Sequence, residues 1–354
     1  MIIVMERDYI EDVGELQLRR LTKEKIDEFL EQAIERELWN LRVTGVYEAQ
    51  KHSLGEGIKI AIINSGADVE HPEISSKIVN RFNYVNYTYD PDGTKLKKDD
   101  YHYDDVKDET GHGTHIAAII AGELIGIAPG SQLYIVKVAD EKGDVEHSHL
   151  PVAIERCTKI FGADLVNLSL GVNRWTTDLR EACKEAYERG VVLVSSAGNN
   201  RAGVSYPALY QGVISAGATN ISNKTTWFSN IWPTTDIAAP GEDIFGAYIP
   251  TKGDYKVAYA MGDGTSMAAA HVTGALALAL SYSRKKGKKL GPQQLEQIMK
   301  ETASMPDVSK EEVSHLIEST GFGLIREDLS AEEFLQYIYG RGIIRADMMM
   351  EGLM

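Results

Sequence analysis

The chain has 354 residues, of which 43% are hydrophobic and 25% charged, the balance of an ordinary packed protein and not of a disordered or fibrous one. Its net charge of -15 argues against a nucleic-acid partner, because phosphates are held by clustered Lys and Arg, and against attraction to an anionic membrane. No run of about 18 apolar residues occurs, so no spanning helix is expected.

The amino terminus, MIIVMERDYIEDVGE, turns acidic at once and shows no apolar core or small-residue cleavage site of an export signal, which predicts a cytoplasmic protein. In LTKEKIDEFLEQAIERELWNL, Leu21, Ile26, Phe29, Leu30, Ala33, Ile34, Leu38 and Leu41 form one apolar stripe behind a candidate cap at Thr22. That pattern predicts a helix packed on something, either an accessory helix or a regulatory pro-segment. Residues 1–45 are accordingly set apart as an N-terminal helical segment and candidate pro-segment, 46–340 as the main domain and 341–354 as a C-terminal tail.

From about residue 57 the pattern changes. Short β-branched runs at Ile58 to Ile63, Leu133 to Val138, Leu165 to Leu168, Val191 to Ser196 and Val213 to Ala216 alternate with amphipathic stretches such as Leu150 to Phe161 and Leu179 to Arg189. Near-continuous apolar strands separated by helices predict an α/β fold: a doubly wound, mostly parallel sheet with helices on both faces, three layers in all. Residues 80–111, rich in Tyr and Asp, read as a long insertion. Its spacing lacks the ligand order of a calcium loop, so a solvated surface loop is preferred to a metal site. Structural calcium is therefore not assignable to any residue. The basic run Arg284 to Lys289 reads as a solvated connection. Cys157 and Cys183 lie in helical patterns without a CxxC or a Cys/His cluster, as expected of buried free thiols in a reducing compartment. The Met-rich end RADMMMEGLM reads as a frayed or loosely packed terminus.

Four short segments carry the chemistry. In GDGTSMAAAHVTG a Gly-flanked turn delivers Ser266 onto the first turn of an apolar helix, whose free N–H groups suit a developing oxyanion. In ETGHGTH, His112 sits between glycines just before a helix, where a general base could be held. His115 and His271 read as structural. In VVLVSSAGNN a buried strand ends in a turn presenting Asn199, whose amide could donate to an oxyanion. In IKIAIINSGADVEHPEI a buried strand runs into Asn64, at the strand end where catalytic groups gather in open α/β sheets.

In order and wording these segments resemble the subtilase family of serine peptidases, and the likeness extends over roughly residues 40 to 340 through NLSLG, SYP and GFGL. It most resembles the intracellular members. The resemblance implies Ser266 as nucleophile, His112 as general base and acid, and Asn199 as oxyanion donor. It also implies that Ser169, Leu170 and Gly171 pair with an extended peptide substrate, and that the Tyr206-Pro207 bond is cis. No cofactor is needed for that chemistry; a peptide or protein is the substrate, and a homodimer fits intracellular members.

The sequence departs from the family at Asn64, where the pattern has aspartate. A neutral amide could turn its NH₂ toward His112 Nδ1, leaving the ring proton on Nε2, the wrong nitrogen to accept the serine proton. Restoring aspartate is then expected to raise activity by about 10⁴-fold. Asp68 matches a different position. Ala270 stands at a usual proline, and IIAGE passes directly to LIGIAP where many subtilases carry a calcium loop. The reading is a serine endopeptidase attenuated at one position, or alternatively a pseudoprotease that binds peptides.

Overall fold

The computed structural model describes residues 2–5, 38–85, 87–89, 95–97, 103–201, 203–231, 235–249, 257–309, 311, 313–314 and 330–354. Residues 21–37 of the expected helix, GFGL at 321–324 and residues 86, 90–94 and 98–102 of the expected insertion lie outside them. In chain order the strands are β1 (Ile2–Met5), β2 (Lys59–Asn64), β3 (Ile78–Asn83), β4 (Tyr87–Tyr89), β5 (Lys95–Lys97), β6 (Gln132–Lys137), β7 (Leu165–Leu168), β8 (Val192–Ser196), β9 (Val213–Thr219), β10 (Ile237–Pro240), β11 (Ile244–Tyr248) and β12 (Val257–Gly262). The helices are α1 (Trp39–Val43), α2 (Val46–Gln50), α3 (His112–Ala121), α4 (His149–Arg156), α5 (Thr177–Glu188), α6 (Thr265–Lys285), α7 (Pro292–Thr302), α8 (Ala331–Tyr339) and α9 (Ala346–Leu353), with a π-helical turn at Cys157–Phe161 after α4.

The main sheet has seven strands in the order β10-β9-β8-β7-β2-β6-β3, every pairing parallel. The expected doubly wound architecture follows from burial on both faces. Ile60 and Ile62 of β2 point into one core with α3 and α6, while Ala61 and Ile63 point into the other with α4 and α5. A period of two in a strand apolar throughout therefore needs helices on each side. The chain leaves β2 for β3, returns through β6, then crosses to β7 on the other side of β2. The strand order thus reverses at β2, and the crevice beyond its carboxyl end is where such sheets hold ligands.

The helix α6 is buried over nearly its whole length, from Thr265 to Ser283. Ala268, Ala269, Ala270, Ala275, Ala277 and Ala279 make it slim enough to lie close on β7, β8 and β9. Behind α3, the turn after Ala121 is closed by buried Glu73, whose carboxylate accepts from Leu124 N (3.0 Å), Ile125 N (3.4 Å) and the Tyr259 hydroxyl (2.9 Å). Glu73→Leu removes the acceptor of the Leu124 and Ile125 N–H groups and of the Tyr259 hydroxyl. The expected result is a loss of about 1.5–3 kcal/mol, read as a lower denaturant midpoint with unchanged slope.

Two expectations need correction. The Met-rich end is neither frayed nor loose: it forms α9, with Met349 and Met350 fully buried against α2, α6 and α7. Unbranched thioether side chains fill the irregular gap where three helices meet. The 80–111 segment is not solvated throughout, since Tyr84 is buried in the second core and Asp108 is 3% exposed. Cys157 and Cys183 are buried and unpaired; burial pushes the Cys183 thiol up to about 12 and raises Cys157 as well, so neither is a ready nucleophile. The Tyr206-Pro207 bond is cis. The basic run leads from α6 to α7, with Arg284 paired to Asp164 and Lys285 to Glu56.

Candidate active site

Three neighbouring strands, β2, β7 and β8, end at one edge of the sheet, and each delivers one of the expected groups. Asn64 is the last residue of β2. Ile62 lies opposite Asn167, so continuing that register brings Asn64 level with Ser169, just beyond β7. Leu168 lies opposite Ser195, which carries the same level to the end of β8 and the turn holding Asn199. The helices α3 and α6 pack on each other with His112 and Ser266 in their first turns.

His112 Nδ1 donates to Asn64 Oδ1 over 2.7 Å. The polarity is the reverse of that expected from the sequence. The cause is local: Ser65 N–H donates to the same Asn64 oxygen at 2.8 Å, and turning the amide round would set NH₂ against N–H. The ring proton therefore sits on Nδ1 and Nε2 is left with its lone pair. What suffers is Asn64 Nδ2, buried with no partner among the described residues. Burial lowers the His112 pKa, with the nearby Asp108 charge working in the opposite direction.

Ser266 is buried, its hydroxyl donating to Ser169 O at 3.0 Å, while Ser169 Oγ donates back to Ser266 O at 2.8 Å. To meet a base, the Ser266 hydroxyl would rotate off that carbonyl. Asn199 is exposed, and its Oδ1 is pinned by Thr265 N (2.9 Å) and Thr265 Oγ1 (2.8 Å). Its Nδ2 is thereby turned outward. Gly264, at φ 153, leaves open the space between the donors: a Cβ there would lie 3.3 Å from Asn199 Nδ2 and 3.7 Å from Ser266 N. Two donors thus flank one small hollow beside the serine, which is what a tetrahedral oxyanion requires.

His115 and His271 are buried against backbone carbonyls. His115 Nε2 lies 3.1 Å from Ile244 O and 3.2 Å from Ala260 O, and burial depresses its pKa to about 4. His271 bridges Met267 O (2.8 Å) and Asn40 Nδ2 (2.7 Å), fastening α1 to α6, and burial likewise takes it to about 4.

Sequence reasoning missed three supporting groups. Asp108 accepts from Gly111 N (3.0 Å) and Thr114 N (2.9 Å) at the start of α3. Ser65 Oγ lies 2.9 Å from Asp108 Oδ1. Lys137, buried at the end of β6, donates to Ser65 O (2.7 Å) and Glu109 (2.9 Å). An acidic residue just ahead of Gly-His-Gly is a helix-start signal that would have found Asp108. Among the described residues, no group of three or more His, Cys, Asp or Glu could hold a metal ion, and no helix is long and apolar enough to cross a membrane.

Residues 55–340 match the model of the subtilase family. The chain is 36% identical over 240 residues to the major intracellular serine protease of Bacillus subtilis (strain 168), a match covering 64% of this chain and 70% of that protein. It is 34% identical over 235 residues to the intracellular serine protease of Paenibacillus polymyxa, covering 63% and 67%. With the thermophilic serine proteinase of Bacillus sp. (strain AK1) it shares 34% over 245 residues, covering 67% of this chain and 55% of the relative.

Proposed function

Because the chain belongs to the subtilase family, we propose that it is a serine endopeptidase scaffold acting by acyl transfer, slowed by Asn64 in the place of the triad aspartate. Ser266 attacks the scissile carbonyl, His112 Nε2 takes its proton and later gives it to the leaving amine, and Asn199 Nδ2 with Ser266 N–H receives the oxyanion. The chemistry uses side chains alone and needs no cofactor. The observation that carries the reading is the 2.7 Å Asn64 Oδ1 to His112 Nδ1 contact, which keeps the base in its competent tautomer. The test is covalent labelling by a fluorophosphonate: slow modification of Ser266 in this chain and fast modification in Asn64→Asp are expected. No labelling of Ser266 in either, with both folded, would overturn the proposal.

The substrate is a peptide or protein in extended form. Leu170 and Gly171 make no main-chain hydrogen bond among the described residues, which leaves that backbone free for β-pairing beyond Ser169. Next to Asn199 lies a pocket of about 380 Å³ lined by Trp227, Phe228, Glu242, Asp243 and Asp263, where residues after the scissile bond would lie. Likeness to intracellular serine proteases supports a place inside the cell, and a homodimer belongs to the same proposal. One observation favours the alternative of a pseudoprotease that binds peptides without cutting them: the Ser266 hydroxyl is engaged by Ser169 O and not by a base.

Within the N-terminal segment of residues 1–45, the stretch ahead of Leu38 is the candidate pro-segment. In support, β1 runs parallel along β12, Ile2 opposite Val257 to Met5 opposite Ala260, and β12 leads into the Ser266 turn. Cleavage should fall ahead of Leu38, because Leu38, Trp39 and Leu41 are buried in the core. In the Asn64→Asp chain, mass spectrometry is expected to show loss of the segment before residue 38, and the parent chain to stay whole. An intact Asn64→Asp chain that cleaves added peptide would remove the self-processing assignment.

A further inference from the structure

A carboxylate stands behind the base. Asp108 is 3% exposed and faces six donor groups within 2.8–3.1 Å: Oδ1 meets Ser65 Oγ, Thr110 N, Thr110 Oγ1 and Gly111 N, and Oδ2 meets Thr114 N and Thr114 Oγ1, the Thr110 hydroxyl proton being shared with Ser65 Oγ at 2.9 Å. Burial opposes its charge, but the Thr114 and Ser65 hydrogen bonds win and hold its pKa below the ordinary value. An ionised carboxylate is thus built into the floor of the site. It connects to the base by a continuous path. The Ser65 hydroxyl donates its one proton to Asp108 Oδ1 at 2.9 Å, Ser65 N–H donates to Asn64 Oδ1 at 2.8 Å, and His112 Nδ1 donates to the same Asn64 oxygen at 2.7 Å. The same serine oxygen accepts Gly113 N–H at 3.0 Å, so it also fixes the first turn of α3.

We propose that Asp108 is a positioning residue for His112, acting through Ser65 and Asn64 to hold the imidazole and to supply the negative charge that Asn64 lacks. When Ser266 gives its proton to Nε2, the ring becomes a cation with its Nδ1–H still on Asn64 Oδ1; no proton passes to Asp108, which remains a carboxylate. The other charged groups around the ring leave Asp108 as the balancing anion. Asn64 from β2 is neutral, Lys137 from β6 is paired with Glu109, and His115 on α3 and His271 on α6 are neutral at pH 7, with pKa values near 4. Tyr248 from β11, bonded to Thr110 O, has its pKa raised by burial and stays protonated.

The inference rests on His112 as the base, and its test reads the ring without catalysis. The imidazole titration of His112 is followed by NMR in the full chain, the signal assigned by its loss in His112→Gln. In Asp108→Asn the ring is expected to titrate at lower pH than in the parent, because the cation loses its counter-charge, and fluorophosphonate labelling of Ser266 should slow by about tenfold at neutral pH. Ser65→Ala, which keeps Asp108 and its backbone donors, is the second variant should Asp108→Asn fail to fold; it should slow labelling and disturb the same titration. A purely structural Asp108 would change the melting temperature and leave the His112 titration where it was. An unmoved titration in either folded variant overturns the proposal, whereas failure to label Ser266 in the parent and in Asn64→Asp refutes the catalytic reading instead.

Discussion

Asn64→Asp is expected to raise kcat on a peptide substrate by about 10³-fold, or about 4 kcal/mol of transition-state stabilisation. Where an amide in this position reverses the ring tautomer, the loss is about 10⁴-fold, and removing the carboxylate altogether from subtilisin itself costs about 3 × 10⁴ in turnover. Here the Ser65 N–H pins the amide oxygen toward the ring, so the tautomer is already right. The missing quantity is one negative charge at 2.7 Å from Nδ1, and part of its work falls to Asp108 if that residue acts as inferred above. A gain below tenfold in a folded variant would defeat the account of Asn64 as the attenuating residue. A gain well above 10⁴ would mean that the amide stands the other way round in solution.

The pH dependence follows with a definite sign. Burial lowers the His112 pKa in the present chain, only partly opposed by Asp108, so the ring stays neutral and able to accept a proton at pH values where an ordinary imidazole is charged. An aspartate at position 64 stabilises the cation and raises that pKa. The acid limb of kcat/KM for Asn64→Asp should therefore lie at higher pH than the limb of the parent's residual activity, as a pH–rate profile would show.

How much of this could be read in the residues depended on how local the cause was. The central strands announce themselves, because β2, β7 and β8 are covered on both faces and are apolar almost throughout. The edge strand β3 does not: Val79 and Asn80 are exposed, and a half-solvated strand with mixed polarity has no distinctive run. Asn199, His112 and Ser266 stand out as candidates because each sits in a short motif at a strand end or helix start. Asp108 was hidden in a run of solvated acids, since its burial depends on N–H groups that exist only once α3 has formed. The orientation of the Asn64 amide depended on a single neighbouring N–H, whose direction the sequence does not state. Met349 and Met350 were misjudged for the opposite reason: their partners on α2, α6 and α7 are remote in the chain.

Asn199 carries the other large effect. Its side-chain oxygen is held by Thr265 N and Oγ1 at 2.9 and 2.8 Å, which leaves Nδ2 no choice but to face the hollow beside Gly264 and Ser266 N. A donor aimed where charge develops, and not at the ground-state carbonyl, acts on kcat and leaves KM alone. In the Asn64→Asp background, Asn199→Ala is expected to lower kcat by about 10²- to 10³-fold with KM unchanged. It should also cost about 1 kcal/mol of stability, because Thr265 N–H at the start of α6 loses its acceptor. Asn199→Asp keeps that acceptor while presenting a carboxylate oxygen to the oxyanion, so it should retain the stability and lose at least as much activity. That pairing separates the two duties of the residue. If Asn199→Asp were instead as active as Asn199, the oxyanion would have to be held by the α6 backbone alone, and the hollow at Gly264 would have no catalytic part.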